Sequence, residues 1–144
     1  MTDQSARQDA LLVAGPVTAA DVLAHRVIGA AIEVHRILGP GLLESIYEDA
    51  LCVELAPAGT SFERQVTMRV LYKGHDIGEK RLDLLVSGEL VVELKAVESI
   101  SPVHFAQMLS YLNLKHLRLG LLVNFNVAEL RQGIKRVINN SRAI

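Results

Sequence analysis

Cysteine is nearly absent from this 144-residue sequence, where Cys52 stands alone. One thiol excludes an internal disulfide, a CxxC redox pair and any zinc site built from several cysteines. Tryptophan is missing, and three Phe with three Tyr supply all the aromatic rings. That is too few for a single-strand binder built on stacking platforms. No apolar run nears the roughly 20 residues that a membrane helix needs. The chain opens Met1-Thr2-Asp3-Gln4, without the basic-then-apolar pattern of a secretion signal. A reducing cytoplasm is the expected compartment. An excess of one charge is also lacking, since 15 Lys and Arg meet 16 Asp and Glu for a net −1. A protein that coats polyanions is thereby excluded. A GxSxG elbow, a Cys–His pair with an orienting group and a phosphate-cradling glycine loop are all missing, so a small-molecule hydrolase has little support. The five histidines follow no zinc-ligand spacing.

Half of the residues are apolar and 22% are charged, a balance that favours a packed core over disorder. The length suits one domain. A mean hydropathy of +0.28 is high for a small monomer, which raises the expectation of a subunit interface and a homo-oligomer. The near-zero charge hides an asymmetry. Glu33 to Glu63 carries six acids and one base, whereas Lys115 to the end carries six bases and one acid. One region therefore suits cations and another suits phosphates.

Residues 1–16 read as a loose leader ending at Gly15-Pro16, and residues 17–144 read as one domain. Thr18 or Asp21 caps a helix reaching about Leu38, with Leu23, Val27, Ala30, Ala31, Val34 and Leu38 at helical spacing. Gly39-Pro40-Gly41 breaks it, and a second helix follows from about Leu42 to Leu55. From Phe62 the period becomes two. Strands are expected over Phe62–Tyr72, about Glu79–Val86 and Leu90–Val97, with a turn across Lys73 to Gly78. Ser101-Pro102 starts a helix that runs to about Leu114. Leu117–Phe125 is apolar enough to be a strand buried on both faces. An amphipathic basic helix is expected over Ala128–Ile138. The order is ααβββαβα, an α/β fold with a mixed sheet flanked by helices.

The second and third strands carry the chemistry. A three-residue loop, Ser87-Gly88-Glu89, sets Val86 opposite Leu90. Leu82, Leu84, Val86, Leu90, Val92 and Leu94 then share one apolar face, while a two-residue loop would push Asp83 and Leu85 among the apolar positions. The hydrophobic pattern selects the first register. It places Asp83 across from Glu93, with Lys95 two residues along on the same face. Facing carboxylates about 5 Å apart repel unless a positive charge intervenes. Mg²⁺ suits them, because it takes hard oxygen donors and keeps several waters. The Leu94 carbonyl offers one further oxygen. The alternative is a hairpin with solvated charges and an ion pair from Lys95 to Asp83 or Glu93.

The helices add candidates. On the second helix Leu43, Ile46, Tyr47, Ala50, Leu51 and Leu55 form an apolar arc that encloses Glu44. A carboxylate on a buried face is costly unless paired or metal-bound. Cys52 falls on the more polar side of the same helix. His104, Gln107 and Tyr111 form a polar stripe on the third helix.

Asp83, then Glu93-Leu94-Lys95, then Gln107-Met108-Leu109-Ser110-Tyr111 resembles the D…ExK core and QxxxY helix of the PD-(D/E)xK nuclease superfamily. Gly41-Leu42-Leu43-Glu44-Ser45-Ile46-Tyr47 resembles the motif of its small GxxExxY family. Leu82 stands where many members have proline. The resemblance runs from about residue 20 to residue 140 and implies a restriction-endonuclease-like fold with metal-dependent nuclease activity. By that resemblance Asp83 and Glu93 ligate Mg²⁺ or Mn²⁺, with Glu44 and the Leu94 carbonyl supplementing the shell. Lys95 activates the attacking water, Gln107 assists it, and Tyr111 contacts substrate. His35 matches a histidine found in some related nucleases, although a packing role also explains it. Lys115 and Arg118, with Lys135 and Arg136, are the visible phosphate-gripping candidates. The partner is DNA or RNA, with no groove-reading motif to specify a sequence. The competing expectation is a catalytically silent protein that keeps the fold for nucleic-acid binding or self-assembly.

Overall fold

The computed structural model describes residues 17–140, so the leader expected over residues 1–16 lies outside the described residues. Helix α1 spans Ala19–Leu38. Thr18 caps it as anticipated: its hydroxyl accepts from the Asp21 N–H at 3.2 Å, and the Asp21 carboxylate accepts from the Thr18 N–H at 2.9 Å. Leu23, Ala24, Val27, Ala31 and Val34 form its buried stripe. Gly39, at φ 69°, ends the helix. Helix α2 follows over Glu44–Leu55.

Strands β1 (Phe62–Tyr72) and β2 (His75–Val86) form a long antiparallel hairpin. Its turn is shorter than the sequence suggested. Lys73 and Gly74 both take positive φ, 49° and 81°, the conformation of a two-residue turn that matches strand twist. Strand β3 (Leu90–Lys95) pairs antiparallel with β2, with Val86 opposite Leu90 as the hydrophobic pattern required. Helix α3 (Pro102–Lys115) then carries the chain back to β4 (Leu119–Asn124), which runs parallel to β3. The third helix is capped at Ser101, as expected from Ser101-Pro102.

The last element departs from expectation. Instead of a helix over Ala128–Ile138, a 3₁₀ turn at Leu130–Gly133 leads into β5 (Ile134–Ile138). Strand β5 pairs antiparallel with β4 and completes a five-stranded sheet in the order β1-β2-β3-β4-β5. The apolar spacing of this segment imitates a helix, but Gly133 weakens helix propagation. The unpaired edge of β4 offers its backbone groups a ladder instead.

Helices α1 and α2 cover one face of the sheet, over Leu84, Val86, Leu90, Val92, Leu94, Leu121 and Val123. Helix α3 covers the other, where Met108 and Leu112 meet Leu85, Val91 and Leu122. Leu82 is a correction: it joins this second cluster rather than the face of Leu84. The alternation breaks at Asp83, where the facing β1 residue, Gln65, takes a positive φ of 50° and the two do not join the β1–β2 ladder.

Two glycines separate backbone tolerance from close packing. A Cβ at Gly133 would collide with the Asn124 carbonyl, whereas a Cβ at Gly29, exposed within α1, meets nothing within 4 Å. Gly133→Ala is expected to destabilise by about 3 kcal/mol. Gly29→Ala is expected to stabilise by about 0.5–1 kcal/mol. Urea unfolding of the two variants beside the wild type checks both signs.

Candidate active site

The sheet forks at β2. Its ladder to β3 covers only Leu84–Val86, while the stretch back to His75 pairs with β1 alone. Strand β3 meanwhile stays paired with β4 as far as Lys95, opposite Asn124. Two side chains bridge the opening. The Asp83 N–H donates to Glu93 Oε1 at 2.9 Å, and the Leu94 N–H donates to Asp83 Oδ2 at 2.8 Å. The facing carboxylates thus replace ladder bonds where the strands part, and the register inferred from the loop puts both in one place. In an extended strand a residue's N–H and C=O project to the same edge, so the Leu94 carbonyl also faces the fork.

Burial makes the pair costly. Glu93 is 6% exposed, and its carboxyl is pushed up to about 8, first by burial and then by the Asp83 charge. The Asp83 N–H and Lys95 oppose that rise, and Glu44 adds to it. Asp83 is likewise raised by burial and by the charge of Glu48, against the pull of the Leu94 N–H and Lys95. Tyr111 on α3 is raised too, by burial first and then by Glu93 and Asp83. No ion pair joins Lys95 to either acid among the described residues. The solvated hairpin with an internal salt bridge is therefore not what forms.

Among the described residues no three His, Cys, Asp or Glu side chains gather as a metal cluster. The donor set is instead two carboxylates, each with one oxygen tied to a backbone N–H, beside a backbone carbonyl edge. Hard oxygens in that number suit Mg²⁺ or Mn²⁺ that retain several waters. The residues fit such an ion.

Helix α2 brings further acids to an open cleft of about 400 Å³ lined by Leu43, Glu44, Ser45, Glu48, Gln65 and Asp83. The expected orientation of this helix needs correction. Leu43 and Ile46 are exposed, and so is Glu44, while Tyr47, Glu48, Leu51, Cys52 and Leu55 are buried. Glu48 is the buried carboxylate that the wheel missed. Its Oε2 accepts from Arg64 Nε and Nη2 at 3.0 and 2.9 Å, and its Oε1 accepts from Gln65 Nε2 at 2.7 Å. Cys52 is buried beside it rather than on a polar side. The exposed Glu44 lines the cleft from the first residue of α2.

Tyr47 holds that helix start in place. Its hydroxyl donates to the Gly39 carbonyl at 2.6 Å and accepts from the Leu42 N–H at 3.1 Å. Its ring stacks on Phe125, 4.3 Å between centroids. The Gly39-Pro40-Gly41 turn is thereby stapled to the core, which sets where Glu44 enters the cleft.

Other expected site residues lie elsewhere. Gln107 is exposed one turn before Tyr111, and no hydrogen bond ties it to Asp83 or Glu93. His104 serves the α3 cap, its Nδ1 accepting from the Ser101 N–H at 3.0 Å. His35 is buried, with Nε2 2.8 Å from the Val127 carbonyl and its ring near Phe125, so packing accounts for it. Lys115 and Arg118 close α3 and precede β4, at the end of the sheet opposite Lys95. Glu93 pairs with Leu122, so four strand steps, about 13 Å, separate Arg118 from the fork. Arg118 and Arg136 also face the Asp21 carboxylate, at 4.0 and 3.6 Å. They therefore help hold the start of α1 rather than standing beside Asp83. Lys135 is better placed, in a pocket with Asn124, Glu98 and Gly133.

The raised Glu93 carboxyl has a consequence for stability. Between its ordinary value of 4.5 and about 8 the folded chain binds more protons than the unfolded chain. The Glu93 contribution to the stability of the metal-free protein is therefore fully present below that window and is lost as pH rises through it. Urea unfolding in chelator at pH 5 and pH 8 is expected to show the fall, and Glu93→Gln to flatten it. An equal fall in the variant would trace the proton to another group.

No curated protein and no solved structure gives a significant match to the chain. A family model described as the PD-(D/E)XK nuclease superfamily matches residues 21–137. That span contains the fork, the cleft and all of the mixed sheet but Ile138, the last residue of β5. Nucleases of this superfamily usually hydrolyse phosphodiester bonds and generally use divalent metals. With a restriction-endonuclease-like sheet and paired carboxylates where β2 leaves β3, the chain belongs to the PD-(D/E)XK nuclease superfamily.

Proposed function

We propose that this chain is an active metal-dependent nuclease that cuts phosphodiester bonds of DNA or RNA at Asp83, Glu93 and Lys95. The observation that carries the reading is the Asp83–Glu93 pair in the fork, with Glu93 buried and Asp83 half-buried, joined to no ion pair among the described residues and with Lys95 two residues beyond Glu93 on β3. A buried acid beside a half-buried one makes a poor structural element and a good cation site. Asp83, Glu93 and the Leu94 carbonyl would hold the ion, while Glu44 lines the cleft beside Asp83. When bound, Mg²⁺ or Mn²⁺ supplies positive charge that offsets the charge gathering on the phosphate. Lys95 orients the attacking water and faces the same phosphate. From α3, Tyr111 lies within the field of both acids. The spacing of Gly41, Glu44 and Tyr47 supports a reading of the chain as a GxxExxY member of that superfamily, and the Tyr47 staple supports it too.

A silent binding or assembly protein is the second reading. It draws on Arg118 and Arg136, which turn to Asp21 instead of toward the fork. Incubation with end-labelled DNA and RNA, single- and double-stranded, in Mg²⁺, Mn²⁺ or EDTA separates the two. Cleavage that needs metal and falls about a hundredfold or more in Asp83→Ala and Lys95→Ala is expected. Cleavage that survives both changes overturns the assigned site. No cleavage of any substrate by the folded protein overturns the enzyme and favours the binder.

A further inference from the structure

Gln65 is the β1 residue that the β1–β2 ladder skips: Arg64 pairs with Leu84 and Val66 with Leu82, while Gln65 takes φ 50° opposite Asp83. A side chain longer than Asn seldom adopts that conformation within a strand. Such an outlier persists only where its surroundings enforce it, and it is a reason to ask about function. The surroundings here are specific. Gln65 Nε2 donates to Glu48 Oε1 at 2.7 Å and lies 3.5 Å from Asp83 Oδ1. Glu48 is itself only 7% exposed and is clamped by Arg64, which also reaches Asp49. The amide has two hydrogens, and it spans from a fixed buried carboxylate to the site carboxylate.

Asp83 is thus held from both sides. Its Oδ2 is anchored by the Leu94 N–H at 2.8 Å. Its Oδ1 meets the Gln65 amide only at long range, which orients that oxygen yet leaves lone pairs for a cation. Resting on the nuclease reading above, we propose that Gln65 is a positioning residue that acts through Asp83, with Glu48 and Arg64 as its fixed support, to set the carboxylate for divalent-metal binding. Gln65 does not itself ligate the ion. Partners of metal-ligating side chains typically contribute tenfold or more to affinity.

The test is direct Mn²⁺ binding to the full chain, followed by titration calorimetry and by the electron paramagnetic resonance signal of free Mn²⁺, with no substrate present. Gln65→Gly suits the purpose because glycine accepts a φ of 50° without a clash. Gln65→Met keeps the length and removes the amide. Circular dichroism confirms that each variant measured is folded. With Asp83→Asn as the reference that loses binding, both Gln65 variants are expected to bind about tenfold more weakly. Adding Glu48→Met to Gln65→Gly is expected to lower affinity little further, since the support acts through the amide. Wild-type affinity in folded Gln65 variants, with binding lost in Asp83→Asn, overturns this inference and leaves the nuclease reading standing. A full additional loss in the double variant overturns the supporting role of Glu48. Binding undiminished in Asp83→Asn overturns the underlying site assignment and this inference with it.

Discussion

The parting of β2 from β3 is the constraint on which the rest of the site depends. Wherever two strands separate, N–H groups lose their ladder partners and need others. Here the side chains of Glu93 and Asp83 accept those bonds, from Asp83 and Leu94 respectively. The exchange satisfies the backbone but leaves two carboxylates together, Glu93 buried and Asp83 half-buried at the cleft. Burial and mutual repulsion then lift Glu93 to about 8. A fork solved in this way is electrostatically incomplete, and that incompleteness is what makes it chemically useful.

The surrounding elements each limit the freedom of that pair. Strand β4 holds β3 in place through Lys95, so the fork opens on one side only. The Tyr47 hydroxyl staples the glycine–proline turn, and its ring rests on Phe125 beneath the sheet. Helix α2 consequently starts over the fork, delivering Glu44 to the cleft mouth and Glu48 to its floor. Glu48 tolerates burial because Arg64 and Gln65 supply three short hydrogen bonds. Helix α3 closes the other face, bringing Tyr111 within the field of both acids.

Charge is distributed less simply than its density along the chain implied. The basic C-terminal region is real, but Arg118 and Arg136 meet Asp21, the residue that also completes the α1 cap. A cluster of positive residues in sequence thus becomes partly an anchor for the first helix. Lys135, at the Asn124 end of β4, is the basic side chain from that region that stands toward the fork end of the sheet.

Period, loop length and capping chemistry are local properties, and the sequence by itself determined what depends on them. They set the β1–β2 hairpin, the Ser87-Gly88-Glu89 loop, the register that sets Val86 opposite Leu90, and the Thr18 and Ser101 caps. What required partners distant in the chain was decided only by the tertiary structure. The segment ending at Ile138 became a strand because β4 had an open edge, which no window of the sequence contains. Helix α2 turned Glu48 inward and left Leu43 and Ile46 outside because Arg64 and Gln65 wait on β1 and Tyr47 is pinned to Gly39. A helical wheel weighs each side chain against water alone, so it misplaces a carboxylate whose cost of burial is offset by donors from another strand. The sequence could name the two facing acids, whereas their burial, and the residues that hold them, follow from how the strands part.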